Sequence, residues 1–406
     1  MTSPAAQSLM GSDLSLASLS QAAPEHTYTY LFCDLMTDTV IAELPLADVT
    51  YSTELNGIGT LTATVPYNDE TAPLDPETAT TPGRTAIYVD RDGVIVWGGI
   101  IWTRQPSSQV SKQIQAAEFL SYYQHRYIKK TLSTDPSAVL NPAYVPDGQR
   151  LYAEQKFMAW SLLNYAHAQP YGTVGIVTAD LTGSPTGVNR QATYYGFERP
   201  EIYKSLAELA ASDDGFDFGV DVGWTPAANN NPPTRYRRAR FWYPRRGRDA
   251  DSSGLVFVKG GPGSNILEYD WPEDGTATAT EVSALGAGTG EAKVSAVVQA
   301  PDLLAAGWPL LETVTSYDAV IEQTQITGLA SAELTARAGA QTNPTFTVTA
   351  DDDPAFGSYS VGDEAEFIIG PEPISPAGRS GVLRIIRIEN TAARGPERVR
   401  LTCVGA

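Results

Sequence analysis

Apolar and polar residues alternate at a period of two through residues 27–90. The runs YTYLFCDL, VIAELPL and LTATVP are short enough for strands, and they are broken by Asn56-Gly57-Ile58-Gly59 and by a Pro/Thr-rich stretch over 73–82. In AIYVDRDGVIVWGGIIW the pair Asp92-Gly93 sits between two apolar runs, the local signature of a hairpin, and QIQAAEF carries the alternation onward. Residues 27–135 are therefore expected to form a β-domain that closes on itself like a barrel. Residues 1–26 precede it with neither a basic start nor a continuous apolar core, and they read as a flexible polar arm.

The period then changes. Leu151, Gln155, Met158, Leu162 and Tyr165 recur at spacings of three and four before Pro170, and Ile202, Leu206 and Leu209 do the same between Pro200 and Gly215. Two amphipathic helices are predicted, followed by strands at FDFGVDVGW, RARFWYP and GLVFVKG, which makes residues 136–275 an α+β middle. Residues 276–343 alternate Val, Ala and Thr around a glycine-rich turn at Gly286, Gly288 and Gly290. A helix over GLASAELTARAGAQ follows, with Thr327 as its expected cap. Residues 344–406 return to short β-runs, FTVTA, EAEFIIG, VLRIIRIE and RVRLTCV, and form a second β-domain. GRTAIYV, GVIVWGGIIWTR and KQIQAAEF line up with GDEAEFII, SGVLRIIRIEN and RVRLTCVG, an internal echo between the two ends.

Composition narrows the chemistry. With 406 residues, 42% hydrophobic and 18% charged, the chain is long enough for several packed cores, and no apolar run is long enough to cross a bilayer. Cys33 and Cys403 stand at opposite ends and suit neither a disulfide framework nor a zinc site; both are expected to be buried thiols. There is no GxSxG elbow, no HExxH and no P-loop ending, so no catalytic residue, metal ligand or cofactor is assigned. Asp213-Asp214 and Asp351 to Asp353 offer oxygens for a calcium ion without the spacing of an EF-hand. Net charge is −19, yet residues 235–248 hold Arg235, Arg237, Arg238, Arg240, Arg245, Arg246 and Arg248 and no acid; removing those seven charges leaves the rest at −26. This run is the candidate binding site. Phe241, Trp242 and Tyr243 interleave with it, so an acidic partner surface, passing nucleic acid and pairing with acids of the same chain are all open readings.

The order of features resembles tail hub proteins of tailed bacteriophages, the tail-associated or baseplate-hub group. The resemblance rests on residues 50–66 (TYSTELNGIGTLTATVP), on RDGVIVWGGIIW with its Gly-Gly step at a strand end, and on AAEFLSYYQHRYI. Later stretches extend it: YKSLAELAASDDGFDF, ILEYDWPEDGTATATEVSALGAG, TGLASAELTARAGAQTNPTFTVTA and SYSVGDEAEFII. It covers residues 27–406, through order and spacing more than through any one motif. It implies a mostly β, multi-domain chain in which two small β-barrels of tail-tube type flank the α+β region. It further implies a homotrimeric, non-enzymatic hub at the virion tail tip, assembled in the bacterial host cytoplasm. Such a hub would meet a distal tail protein or tail-tube ring, the tape measure protein and tail fibre or spike proteins, and would let viral DNA pass. A hexameric distal tail adaptor and a cell-wall-binding or degrading tail protein are the alternatives.

Overall fold

The computed structural model describes residues 26–134, 151–178, 184–226, 232–261, 263–339, 342–392 and 397–405. Of the expected N-terminal arm only His26 falls within them. The first seven strands are β1 (Tyr28–Asp34), β2 (Val40–Glu43), β3 (Ala47–Glu54), β4 (Thr60–Pro66), β5 (Thr85–Arg91), β6 (Val94–Ser108) and β7 (Ser111–Glu118). All are antiparallel, in the order β3-β4-β7-β6-β5-β1-β2. Asp92 and Gly93 both take positive φ, 54° and 84°, the geometry that a two-residue hairpin between β5 and β6 demands.

Alternation in these strands feeds two cores. Tyr30, Phe32, Tyr51, Leu61, Val65, Ile87, Trp97 and Ile114 form one core on one side of the sheet. Leu31, Cys33, Ala86, Tyr88 and Ile100 point the other way, into a second core shared with the middle region. Residues buried on both sides explain why YLFC and AIYV read as unbroken apolar runs. The Gly98-Gly99 step lies in the middle of the 15-residue β6, not at a strand end as its sequence suggested. A Cβ on Gly99 would stand 2.2 Å from the Ala117 carbonyl oxygen and 2.5 Å from the Trp97 ring, so the strand can pass there only as glycine.

The middle region packs onto this unit. The helix Gln155–His167 begins four residues later than the spacing suggested because Glu154 caps it, its carboxylate accepting from the Phe157 N–H at 2.9 Å. Met158, Leu162 and Tyr165 join Ile202, Leu206 and Leu209 of the helix Ile202–Ala210 and Phe119 and Tyr123 of the 3-10 turn Phe119–His125 in one core. Two short strands, β8 (Leu132–Ser133) and β10 (Thr193–Tyr194), pair with each other. Strand β9 (Ile176–Val177) lies beside the hairpin of β11 (Asp217–Thr225) and β12 (Thr234–Trp242).

The remaining strands are β13 (Val256–Lys259), β14 (Ile266–Asp270), β15 (Glu281–Leu285), β16 (Ser295–Gln299), β17 (Glu312–Ser316), β18 (Thr345–Thr349), β19 (Glu364–Ile369), β20 (Arg379–Ala392) and β21 (Arg398–Gly405). Strands β15, β16 and β17 and the helix Gln323–Arg337 form a block with its own core of Val282, Ala284, Tyr317, Ile326 and Leu329. That helix starts before the expected cap. Thr327 lies inside it, its hydroxyl donating to the Gln323 carbonyl one turn back.

The C-terminal strands run β14-β18-β21-β20-β19-β13, around a core of Phe257, Phe346, Phe367, Ile385 and Leu401. Taken in chain order, this is the arrangement β3-β4-β7-β6-β5-β1 over again. Five of the six strands keep their sense, while β13 runs parallel to β19 where β1 is antiparallel to β5. Even a bulge repeats: β6 carries an extra residue between Ile101 and Thr103, and β20 one between Ile385 and Arg387. The two units are not separate closed barrels. Among the described residues they are halves of one 13-stranded sheet, joined where β20 pairs with β3 from Arg387 opposite Glu54 to Ala392 opposite Val49.

Candidate functional site

The arginine run is distributed over three parts of the molecule. Arg235 and Arg237 point from β12 toward the first unit, where the turn after β1 offers the Asp38 carboxylate at 3.1 Å and 2.6 Å. Arg237 is 3% exposed; it donates to the Tyr88 hydroxyl at 2.6 Å and to the carbonyls of Leu35 and Val174, and lies over the Phe119 ring. Four acceptors and an aromatic face compensate the removal of this charge from water. Arg240 and Arg246 both reach Asp221 on the neighbouring strand, and Arg246 stacks over Trp242. Arg238 lies over the Tyr236 ring.

Arg245 and Arg248 turn to the C-terminal unit, pairing with Glu364 at 2.6 Å and Asp363 at 2.7 Å. Gly247 between them crosses Gly362 so closely that a Cβ on Gly247 would stand 2.1 Å from the Gly362 carbonyl carbon. Asp363 accepts from both the backbone and the guanidinium of Arg248, which holds its carboxyl below the usual carboxylate range in spite of burial. In return, Arg384 of β20 reaches Asp217 of β11. The run thus clamps the middle region to both β-units. Arg240, Arg245 and Arg248 remain about 43–44% exposed at their side chains, and a contact with another molecule falls to these more than to Arg235 and Arg237. Sequence could show the charge of this run, not the four acids that answer it, three of which lie more than 100 positions away.

A second clasp joins the units directly. His26 bridges Asp92 at 2.6 Å and Asp351 at 2.7 Å, and the bond to Asp351 raises its pKa most, ahead of the opposing burial. Arg91 pairs with Glu397 beside it at 2.7 Å. Asp214 accepts from the Tyr243 hydroxyl. The Asp213-Asp214 and Asp351 to Asp353 stretches thus contribute to structural contacts, and among the described residues no three or more His, Cys, Asp or Glu converge as a metal site.

The side of the sheet opposite the cores of the two β-units, around the joint between them, is polar. Across β6, β7, β4 and β3 the laterally paired Thr103, Gln115, Thr62 and Thr50 share it, and across β20, β21, β18 and β14 their counterparts are Arg387, Thr402, Thr345 and Asp270. Hydroxyls and amides dominate the half made by β3, β4, β7 and β6, whereas the half made by β20, β21, β18 and β14 also carries Arg387, Glu389, Arg398, Arg400, Glu268 and Asp270. Sheet edges are exposed at both ends of this face: residues 103–108 of β6 pair only with β7, and β14 pairs only with β18 among the described residues.

No protein-family model and no curated protein sequence matches the chain. Solved structures do. The tail protein from Neisseria meningitidis MC58 superposes with a TM-score of 0.56 at 12% identity, covering 94% of this chain and 97% of that one. The 43 kDa tail protein of prophage MuSo2 from Shewanella oneidensis gives 0.53 at 13% identity, covering 93% and 98%. The chain therefore shares, over nearly its whole length, the fold of these two tail proteins.

Proposed function

We propose that this chain is a structural hub of a phage tail tip: a ring-forming adaptor that caps or extends the tail tube. One observation carries the reading. The same strand order occurs at both ends of one chain, fused into a single sheet, so each copy offers two comparable surfaces. Three copies then present six to a sixfold tube. The hydroxyl and amide half of the polar sheet face suits a channel wall past which DNA slides, and on the other half Glu268, Asp270 and Glu389 offset Arg387, Arg398 and Arg400, so no net cationic surface is there to hold a polyanion. The block of β15 to β17, with its own core, and the partly exposed arginines suit contacts with the distal tail or tube ring, the tape measure and fibre or spike proteins. No enzymatic role belongs to this reading, which places the protein in the virion tail after assembly in the host cytoplasm. Among the described residues no helix is long and apolar enough to cross a membrane.

Light scattering on the purified chain, combined with electron microscopy of end-on particles, tests this. Three copies per ring are expected. Six copies would replace the hub with the hexameric adaptor, and clearing of host peptidoglycan by the pure chain would replace it with a cell-wall enzyme.

A further inference from the structure

The internal repeat fixes how one copy should join the next. Thr103 of β6 pairs with Gln115, Gln115 with Thr62 and Thr62 with Thr50, crossing to β3. Residue for residue, Arg387 of β20 pairs with Thr402, Thr402 with Thr345 and Thr345 with Asp270, crossing to β14. Thr103 and Arg387 each follow the repeated bulge, so the two rows are equivalent and Thr50 corresponds to Asp270.

Inside the chain, the outer side of β20 is covered by β3, and Arg387 faces Glu54, four residues beyond Thr50. Among the described residues no strand pairs with the equivalent side of β6, residues 103–106. The equivalent of β3 is β14 and the residues after it, whose outer side likewise pairs with no strand among the described residues. Trp271, in the place of the buried Tyr51, packs on the C-terminal core with its ring 6.0 Å from that of Phe346, and a further bridge at Asp274 keeps the line extended. We infer that residues 269–274 of one copy add as an antiparallel strand to the bare edge of β6 in the next copy, with Asp274 opposite Thr103 and Pro272 opposite Gln105.

The repeat supplies an independent check. In the intrachain joint Thr50 meets Thr391, four residues beyond Arg387, so the row climbs four residues for every four strands. Equal stagger and strand number correspond to a tilt of about 36°, within the range that lets a sheet close. A joint between copies with the same stagger continues that slope without a seam. Pro106 stands where Asn390 stands in the intrachain joint and has no N–H to give. The joint between copies is therefore the weaker of the two, and the lone edge is guarded against pairing with unrelated strands.

This inference rests on the ring reading and specifies its contact. In the full chain, Thr103→Cys with Asp274→Cys should form disulfides between copies under mild oxidation, running on a non-reducing gel as dimers and trimers. Glu54→Cys with Arg387→Cys should link within one chain, as an internal standard. Cys33 and Cys403 are buried and do not compete. Thr103→Cys with Trp271→Cys, out of register, should give at least tenfold less cross-linked product. Trimers by light scattering without the Thr103 to Asp274 link would overturn the strand pairing and leave the ring standing. A chain that stays monomeric and unlinked at every concentration, or one that links only within itself, would overturn both.

Discussion

Replacing Asp38 by Asn tests whether the arginine run is architectural. Asp38 accepts from Arg235 at 3.1 Å, from Arg237 at 2.6 Å and from the Tyr88 hydroxyl at 2.8 Å. Asn keeps the shape and one acceptor oxygen but removes the negative charge. Arg237, 3% exposed, would then be hydrogen-bonded to the Leu35 and Val174 carbonyls and to Tyr88 yet not neutralised. Breaking a buried pair from one side costs about 3 to 5 kcal/mol. The Asp38 side chain is 30% exposed, so water offsets part of this and the low end, about 3 kcal/mol, applies. With an unfolding entropy of roughly 2.1 cal/mol/K per residue over the whole chain, the melting temperature should fall by roughly 3 to 4 °C. Differential scanning calorimetry reads this directly. Adding Arg237→Met, which removes the stranded charge and keeps an apolar stem against Phe119, should recover part of the loss. A fall below 1 °C, or a double variant no better than Asp38→Asn alone, would refute the account of Arg237 as a charge held by Asp38.

Other outcomes follow from single contacts. Burial pushes the Glu118 carboxyl up to about 7, against the opposing Gly59 N–H and Thr53 hydroxyl. The folded state holds its proton while the unfolded chain, titrating near 4.5, has lost it. Stability from this group is full below about 4.5 and declines as pH rises to about 7, so Glu118→Gln should flatten the decline by up to about 3 kcal/mol; parallel urea curves for both proteins at pH 5 and pH 8 would contradict this. Gly99→Ala forces a Cβ against the Ala117 carbonyl and the Trp97 ring and should cost at least about 3 kcal/mol, visible as lost soluble yield, whereas Gly93→Asn, in an open left-handed turn, should fold normally. Burial raises the thiol pKa of both Cys33, to about 11, and Cys403, so neither should react with a thiol reagent until denaturant is added; prompt labelling of native protein would count against their burial.

What could be read from sequence was what is local. Asp92-Gly93 specifies its own turn, and the helices at Gln155 and Ile202 announce their buried faces by spacing. The echo between the two ends survived because a strand, a Gly-led strand, a turn and a third strand form a local meander in both. The joint between β3 and β20 was hidden, since Glu54 and Arg387 are 333 positions apart and an edge strand looks like any other until its neighbour is known. The arginine run was visible and its meaning was not. Asp38, Asp221, Asp363 and Glu364 lie on other elements, and only the folded chain brings them within reach. The start of the helix Gln323–Arg337 was misjudged because Thr327 has the chemistry of a cap but satisfies its hydroxyl one turn back.

The repeat also shows where the two halves have parted. Between β3 and β4 the chain needs only residues 55–59; at the same place in the second unit, between β14 and β18, it makes an excursion that includes β15, β16, β17 and the helix Gln323–Arg337. That excursion keeps its own core and touches the middle region through a bridge between Ala192 and Val320. Substitutions within it act at a remove from the register of the main sheet, which they reach through the two chain crossings and through contacts with the middle region such as that bridge and the Thr193 N–H to Ala319 carbonyl bond. A lineage under pressure to meet new surfaces could rewrite this block freely while the sheet that sets its symmetry stays as it is.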